Sequence, residues 1–265
     1  MSDNRLTIGV VTVSFNQAQF LSEAIGSVIV SDPSRLRYVI VDPGSGDGSR
    51  DIINAQTDCF STIIMEPDAG PADGLNKGMA RCEADILGCL NADDRFAPGA
   101  LDYVLRFFED NPEVDVIMGA VRIIDSHGRP RLRRRISSEF SVHRYLEGTC
   151  LALQQGTFFR RRAWEKTSGF NANNRTCWDT ELLVDLALAG ARFRTVYKVL
   201  GDFRVHPQSI TGSNVLTQKY LEDRERICHR AIQSSSCSTS KIVVKIKQLT
   251  YLVNPVRRVL EWTVR

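Results

Sequence analysis

From Thr7 to Gly119 short apolar runs alternate with segments of helical spacing, joined by short connections. TIGVVTV, 7–13, is β-branched and continuously apolar, which suits a strand covered on both faces. Within 17–30, Phe20, Leu21, Ala24, Ile25 and Val28 share one helical face. RYVIVD, 37–42, reads as a second strand. GDGSRDIINAQ opens a short helix with Asp47 or Ser49 as its cap, and STIIME, 61–66, is a third strand. A helix over 71–82 carries Pro71 in its first turn. A strand at 85–90, a helix at 98–109 and a strand at 114–119 complete the series. Such alternation leaves few options: a mainly parallel sheet flanked by helices, with right-handed crossovers.

Open sheets of this kind bind ligands beyond the carboxyl ends of their strands. The strand ends here carry Ser14-Phe15-Asn16, Asp42-Pro43-Gly44-Ser45-Gly46, Glu66-Pro67-Asp68-Ala69-Gly70 and Asn91-Ala92-Asp93-Asp94. Each is rich in acids, amides or glycines. Asp93 and Asp94 pose a specific problem, because adjacent carboxylates repel and lack a cation. A hard divalent ion arriving with a diphosphate would supply the charge, since Mg²⁺ and Mn²⁺ are bound through one or two carboxylates plus substrate phosphates. The alternative is a turn in which Asp and Asn bond their own backbone. Other nucleotide motifs fit poorly. There is no P-loop pattern, and GSGDG lacks the dinucleotide spacing and follows the second strand, not the first. No serine nucleophile elbow is present.

After residue 120 the pattern changes. RIIDSHGRPRLRRRI reads as a hairpin with Gly128 near its turn, 139–146 as a helix and QQGTFFRR as a strand. Asp179 to Gly190 reads as a helix ending at a glycine. RFRTVYKVLGDFRVH gives one or two strands, a helix covers 214–231, and SSSCSTS, 234–240, is a linker.

The 265 residues suit one α/β domain with an appendage. A hydrophobic share of 43% with 25% charged residues is that of a globular chain, and a net charge of +3 is too small to argue for nucleic acid. The polar start leads directly into a strand, and no apolar run approaches the roughly 18 residues of a membrane span. A cytoplasmic protein is therefore expected. The seven cysteines, at 59, 82, 89, 150, 177, 228 and 237, form no Cys-X-X-Cys pair and are expected to be reduced.

Seven blocks occur in order: TVSFNQAQFLSEAIGSV, VDPGSGDGS, EPDAGPADGLNKGMA, GCLNADDRFAPGAL, QQGTFFRR, WDTELLVDLALAG and FRVHPQSIT. Together they resemble the inverting family 2 glycosyltransferases over about residues 5–215. The resemblance implies the GT-A fold: a Rossmann-like, mainly parallel α/β sheet flanked by helices, with a small antiparallel portion and here a C-terminal helical tail. The implied transferase domain is 1–231, with a nucleotide-binding half of about 1–120 and an acceptor half of about 121–231. Residues 232–265 form the linker and a basic amphipathic tail.

The resemblance also implies roles. Val13, Ser14, Phe15, Asn16 and Asp42 correspond to positions that hold the base and ribose, although many relatives have Thr at Val13. Asp68 and Lys77 fall in a block near the nucleotide and donor sugar, where Lys77 could neutralise phosphate. Asp93 and Asp94 occupy the Asp-X-Asp position, with Asn91 in place of the first acid of the strict form. Asp93 is expected near ribose or sugar and Asp94 on the metal, either assignment being open, with His206 as a further metal ligand. The cofactor implied is Mn²⁺ or Mg²⁺. Asp179 matches the catalytic carboxylate. Its place at a helix start also suits an N-cap, and Glu181 is the alternative base. Gln155, Gly156 and Trp178 are expected on the acceptor side.

The expected reaction is transfer of a sugar from a nucleotide-sugar, UDP-sugar by default, to a hydroxyl of a glycan or lipid-linked acceptor in surface polysaccharide or glycolipid synthesis. Two other classes stay open: a non-catalytic carbohydrate- or nucleotide-binding module, and a sugar nucleotidyltransferase that releases pyrophosphate. Basic runs at Arg129, Arg131 and Arg133 to Arg135, and at Arg160 to Arg162, have a solvated surface as their default reading. In a glycosyltransferase they could hold an anionic acceptor or a membrane. The tail has Lys and Arg among apolar residues, which suits a helix lying on an anionic membrane surface or against a partner, so a peripheral place on the inner face of a membrane is a further expectation.

Overall fold

A computed structural model of the chain describes residues 5–135, 139–150, 152–209 and 216–234, the side chains of 132–135 excepted. The expected alternation is present. Strand β1 (Ile8–Val13) leads to helix α1 (Ala18–Ile29), β2 (Leu36–Val41), the short α2 (Ser49–Asn54), β3 (Thr62–Ile64), α3 (Pro71–Arg81) and β4 (Ile86–Asn91). A two-residue β5 (Arg95–Phe96) precedes α4 (Ala100–Asp110). The second half holds β6 (Val116–Ile124), β7 (Pro130–Arg135), α5 (Val142–Leu146), β8 (Thr157–Arg160), α6 (Arg161–Trp164), α7 (Trp178–Leu188), β9 (Phe193–Arg204) and α8 (Thr217–Ser234).

The strands form one nine-stranded sheet in the order β3-β2-β1-β4-β8-β6-β9-β5, with β7 beside β6. β1 to β4 are mutually parallel where they pair. β8 then enters antiparallel between β4 and β6, β9 runs parallel to β6, and β5 pairs antiparallel with β9. The β6–β7 hairpin turns at Gly128, whose φ of 76° is one that glycine adopts without steric cost. Residue 120 lies inside β6, so one strand spans the expected boundary between the halves.

Both faces of the sheet are covered, which explains the continuous apolar runs. On β1 and β2, Ile8, Val10, Tyr38 and Ile40 pack with α1 and α4, while Val11, Val39 and Val41 pack on the opposite face against α3. That second face continues through α7 and α8, with Leu182, Leu186, Ile227 and Ala231 in the same cluster.

Asp47 and Ser49 were expected to cap α2. Gly48 stands at that cap, Asp47 Oδ1 accepts from the Ser49 N–H (3.0 Å) in the first turn of α2, and both side chains also serve the start of α1. The Ala18 N–H donates to Asp47 Oδ2 (2.9 Å) and the Gln17 N–H to Ser49 Oγ (3.1 Å). The acid and hydroxyl satisfy orphan donors of a helix distant in sequence. The second arginine run is solvated only in part, Arg162 being exposed. Arg160 is buried and donates to the carbonyls of Val114, Phe108 and Asn111. Arg161 reaches Ala84 O and Cys82 O, and Arg162 reaches Asp115 and Pro112 O. In the first run, Arg129 pairs with Asp125. The six cysteines among the described residues are free thiols, and no described helix is long and apolar enough to cross a membrane. The 235–265 tail lies outside the described residues.

Candidate active site

The four parallel strands end in step. The Ser14 N–H donates to Val41 O (2.9 Å), the Asp42 N–H to Ile64 O (2.8 Å) and the Ala92 N–H to Val13 O (3.1 Å). Their loops therefore open onto one rim.

The β1 and β2 loops lock together. Asp42 is fully buried. Its Oδ1 accepts from the Gly44 N–H (3.0 Å), the Ser45 N–H (2.8 Å) and Arg50 Nε (3.1 Å), and its Oδ2 accepts from Ser45 Oγ (2.6 Å). Burial pushes this carboxyl up, but the Ser45 and Gly44 donors and Arg50 outweigh it and hold it below the usual carboxylate range. Ser45 Oγ in turn accepts from the Asn16 N–H (2.8 Å), and Asn16 Oδ1 accepts from the Gly46 N–H (3.0 Å). Asn16 has a φ of 53°, a left-handed conformation that Asn tolerates. Asp42, expected at the ribose, thus has its carboxylate turned into the loop that shapes Asn16. Beside it, Phe15 is 59% exposed at the rim, and Ser14 Oγ is buried without a partner.

On the β3 loop, Asp68 Oδ1 accepts from the Gly70 N–H (2.8 Å), while Oδ2 lies over Gly74, where a Cβ would stand 2.7 Å from it. Burial raises the Asp68 carboxyl above its ordinary value. Lys77 reaches back from α3 to Pro67 O (2.6 Å) and Asp73 (3.3 Å), so its ammonium lies at this loop.

After β4 the two acids diverge. Asp94 is 1% exposed. Its Oδ1 accepts from the Arg204 N–H (2.8 Å), and its Oδ2 accepts from Gln155 Nε2 (2.7 Å) and Asn91 Nδ2 (3.4 Å). Burial and the neighbouring Asp93 raise its carboxyl well above the ordinary value. Asp93 instead turns its Oδ2 to His206 Nε2 at 3.1 Å, and His206 Nδ1 faces Gln208 Oε1 at 3.2 Å. The hydrogen bond to Asp93 raises the imidazole. Both ring nitrogens of His206 thus have a polar neighbour.

The pair fits a hard divalent ion. Neighbouring positions of an octahedron with bonds of about 2.1 Å lie about 3 Å apart, which matches the 3.1 Å between these two atoms. Among the described residues no group of three or more His, Cys, Asp or Glu could hold a metal, so phosphate or water oxygens would supply the remaining ligands.

A small pocket lies next to Gln154. Cys89, Gln154, Thr157, Phe159, Phe170, Asp179, Leu182 and Leu183 line it. Asp179 lies in the first turn of α7, whose cap position is Cys177, so it is not the N-cap. Its Oδ1 accepts from the Thr180 N–H (2.7 Å), while Oδ2 has no hydrogen bond among the described residues. Burial raises its carboxyl above the ordinary 3.8. Gln154 joins the two regions, because its Nε2 donates to Asn91 Oδ1 (3.2 Å) and Asn91 reaches Asp94.

Several acceptor-side expectations fall differently. Gln155 holds Asp94, and Gln154, which sequence reasoning passed over, lines the pocket. Gly156 serves packing: a Cβ there would meet Gly119 O at 2.7 Å. Trp178 is only 6% exposed and sits in the core cluster, its Nε1 unpartnered, so its ring offers no open face to an acceptor. Glu181, the alternative base, is 1% exposed, and both its oxygens are already held by Arg226 (2.6 and 2.7 Å), with Arg230 (3.3 Å) and Asn174 (2.7 Å) beside them. Arg204, fully buried behind Asp93, was also missed. Its placement two residues before His206 was the available signal.

The architecture matches known structures. The S. aureus TarS complex with UDP-GlcNAc superposes with a TM-score of 0.70 at 14% identity, over 94% of this chain and 72% of that one. A mannosyltransferase from Pyrobaculum calidifontis, in complex with GDP-Man and Mn²⁺, gives 0.66 at 18% identity, over 99% and 74%. Among sequences, an uncharacterised glycosyltransferase of Nostoc sp. is 27% identical over 212 residues, 76% of this chain and 65% of that protein. The succinoglycan biosynthesis protein ExoU of Rhizobium meliloti is 25% identical over 233 residues, 80% of this chain and 66% of that protein. The chain thus spans about two thirds of the length of these relatives. The model of the family described as glycosyl transferase family 2 matches residues 9–171, from β1 into the loop before α7. With strand ends, acid pair and fold in agreement, the chain belongs to glycosyl transferase family 2 and has its GT-A architecture.

Proposed function

We propose that this chain transfers a sugar, with inversion, from a nucleotide-sugar to a hydroxyl of a glycan or lipid-linked acceptor in polysaccharide synthesis. The observation that carries the reading is the Asp179 carboxylate, whose Oδ2 takes no hydrogen bond among the described residues, on a pocket joined through Gln154 and Asn91 to the acid pair. The ligands of the two structural neighbours, UDP-GlcNAc and GDP-Man with Mn²⁺, support a nucleotide-sugar donor and a divalent ion, UDP-sugar remaining the default donor. The named role of the Rhizobium relative supports the polysaccharide assignment.

In this reading Asp93 and His206 hold the ion, and Asp94 braces them from beneath. That reverses the sequence expectation for the two acids, because both Asp94 oxygens are already committed to neutral donors. When bound, the ion withdraws charge from the departing diphosphate as a Lewis acid. Phe15 offers an aromatic face to the nucleotide base, and the Asp42-shaped loop holds Asn16 beside it. Asp68 and Lys77 lie on the donor side. Asp179 accepts the proton of the acceptor hydroxyl as its oxygen bonds to the anomeric carbon. The bond to the diphosphate breaks with its electron pair from the opposite face. Burial suits Asp179 to this work, since a raised carboxyl is a stronger base than a solvated one.

The test is Asp179→Asn. Transfer is expected to fall by about 10²–10⁴-fold, while calorimetry with Mn²⁺ and UDP or GDP gives an unchanged Kd. Wild-type turnover by this variant would remove Asp179 as the base. Release of pyrophosphate instead of nucleoside diphosphate would assign the chain to nucleotidyl transfer.

A further inference from the structure

Arg204 closes β9 and is 1% exposed. A buried guanidinium is costly unless its donors are matched. Here Nε donates to Asp93 O (2.6 Å), Nη1 to Asp125 O (3.1 Å) and Ser126 O (3.4 Å), and Nη2 to Glu23 on α1. The guanidinium also lies over the Phe20 ring, 4.8 Å from its centroid. The same ring packs on His206, with centroids 4.8 Å apart. The Arg204 backbone N–H holds Asp94 Oδ1 at 2.8 Å.

One residue therefore binds the main chain of Asp93, the carboxylate of Asp94 and, through Phe20, the face of His206. The guanidinium takes the carbonyl of Asp93 and not its carboxylate. An Arg–carboxylate pair would have neutralised the acid and turned it away from His206. The positive charge is balanced by Glu23, which also pairs with Arg95, and Arg95 with Arg122 binds the buried Asp202.

We propose that Arg204 is a positioning residue for the cation pair. It fixes the main chain of Asp93 so that Oδ2 meets His206 Nε2, and Glu23 and Phe20 of α1 hold it in that pose. This inference rests on the reading of Asp93 and His206 as the cation ligands. Lysine cannot replace it, because a compact ammonium on a flexible stem lacks the planar fork that donates to acceptors in several directions and stacks on an aromatic face.

The experiment measures Mn²⁺ affinity by the EPR signal of the free ion, with UDP and separately with GDP, on wild type, Arg204→Lys, Glu23→Gln and His206→Ala. Circular dichroism and thermal melts follow the fold of each. Residues behind metal ligands typically set affinity by about 10–100-fold. Arg204→Lys is expected to lose an amount in that range, and Glu23→Gln, on a partly exposed carboxylate that spares the fold, about tenfold at the low end of it. His206→Ala loses tight Mn²⁺ binding outright. If His206→Ala loses the ion while folded Glu23→Gln and Arg204→Lys bind it as wild type, with only their melting temperatures lowered, Arg204 is a structural residue and the proposal fails. Should Arg204→Lys not fold, a wild-type Kd for Glu23→Gln alone overturns it. Wild-type affinity in His206→Ala would overturn the ligand assignment itself and the inference with it.

Discussion

Asp179 illustrates how a single carboxylate couples function to stability. Burial lifts its folded value above the ordinary 3.8, so the folded state binds its proton more tightly than the unfolded state does. Ionised Asp179 consequently destabilises the fold, and the penalty is present at neutral pH. It fades as pH falls through the raised folded value and is gone below 3.8, where the group is protonated in both states. Asp179→Asn removes the penalty while removing the proposed base. The variant is expected to melt higher than wild type at pH 7, with the difference closing in melts taken below pH 3.8. An Asn variant that melts lower at pH 7 would show that the carboxylate is structurally required. Transfer by the wild type should have an acid limb set by the same group, rising as pH rises through its folded value, and Asn should abolish that limb.

At the level of elements, Glu181 ties α7 to α8 and to the loop before α7. Arg226 clasps both its oxygens, Arg230 adds a third cation, and Asn171 and Asn174 donate from the loop. Burial pushes its carboxyl up, but Arg226, Asn174 and Asn171 outweigh it and hold it below the ordinary 4.5. Its stabilising contribution is therefore present above 4.5 and is lost as pH falls through the depressed folded value. Glu181→Gln should cost about 1–3 kcal/mol at pH 7, toward the lower end because Arg226 is 42% exposed and screened by solvent. Urea melts at pH 7 and in acid check this: the two proteins should converge in acid. The same element shows what sequence could and could not reveal. The acids of α7 were visible as candidates, and the helix itself was read correctly. That Asp179 faces a pocket and Glu181 a salt bridge depended on α8, whose arginines lie 45 residues or more downstream. Arg204 hid for the same reason. An arginine reads as surface unless its partners are known, and Glu23 lies 181 positions away. The strand-end loops were legible because the Asn, Asp and Gly of each stand together in sequence. β5, a two-residue strand, carried no periodicity to read.

At the scale of the whole molecule, the two halves of the chain share one sheet. β8, from the second half, is the bridge between β4 and β6, pairing Leu87 and Val116 with the same Phe159. The core on the α3 face is completed by Phe159, Phe170, Leu182, Leu186 and Ile227, all beyond residue 120. The acid pair depends on the second half as well, since Gln155 and Arg204 hold Asp94 and His206 meets Asp93. Severing the chain at 120 would cut β6, leave β4 with an unpaired edge and uncover one face of the sheet, and such surfaces drive non-specific association. A fragment of residues 1–120 is therefore expected to bind a dye specific for exposed apolar surface, to melt without a cooperative transition and to bind neither Mn²⁺ nor nucleotide, whereas the full chain unfolds in one calorimetric step. A fragment that melted sharply and bound nucleotide would show the first half to be an independent domain to which the second was added. The strand order argues otherwise: a sheet whose central bridge arrives late in the chain must assemble both halves before its rim of strand ends exists, so the Asp93–His206 pair and the proposed base can take shape only in the completed fold.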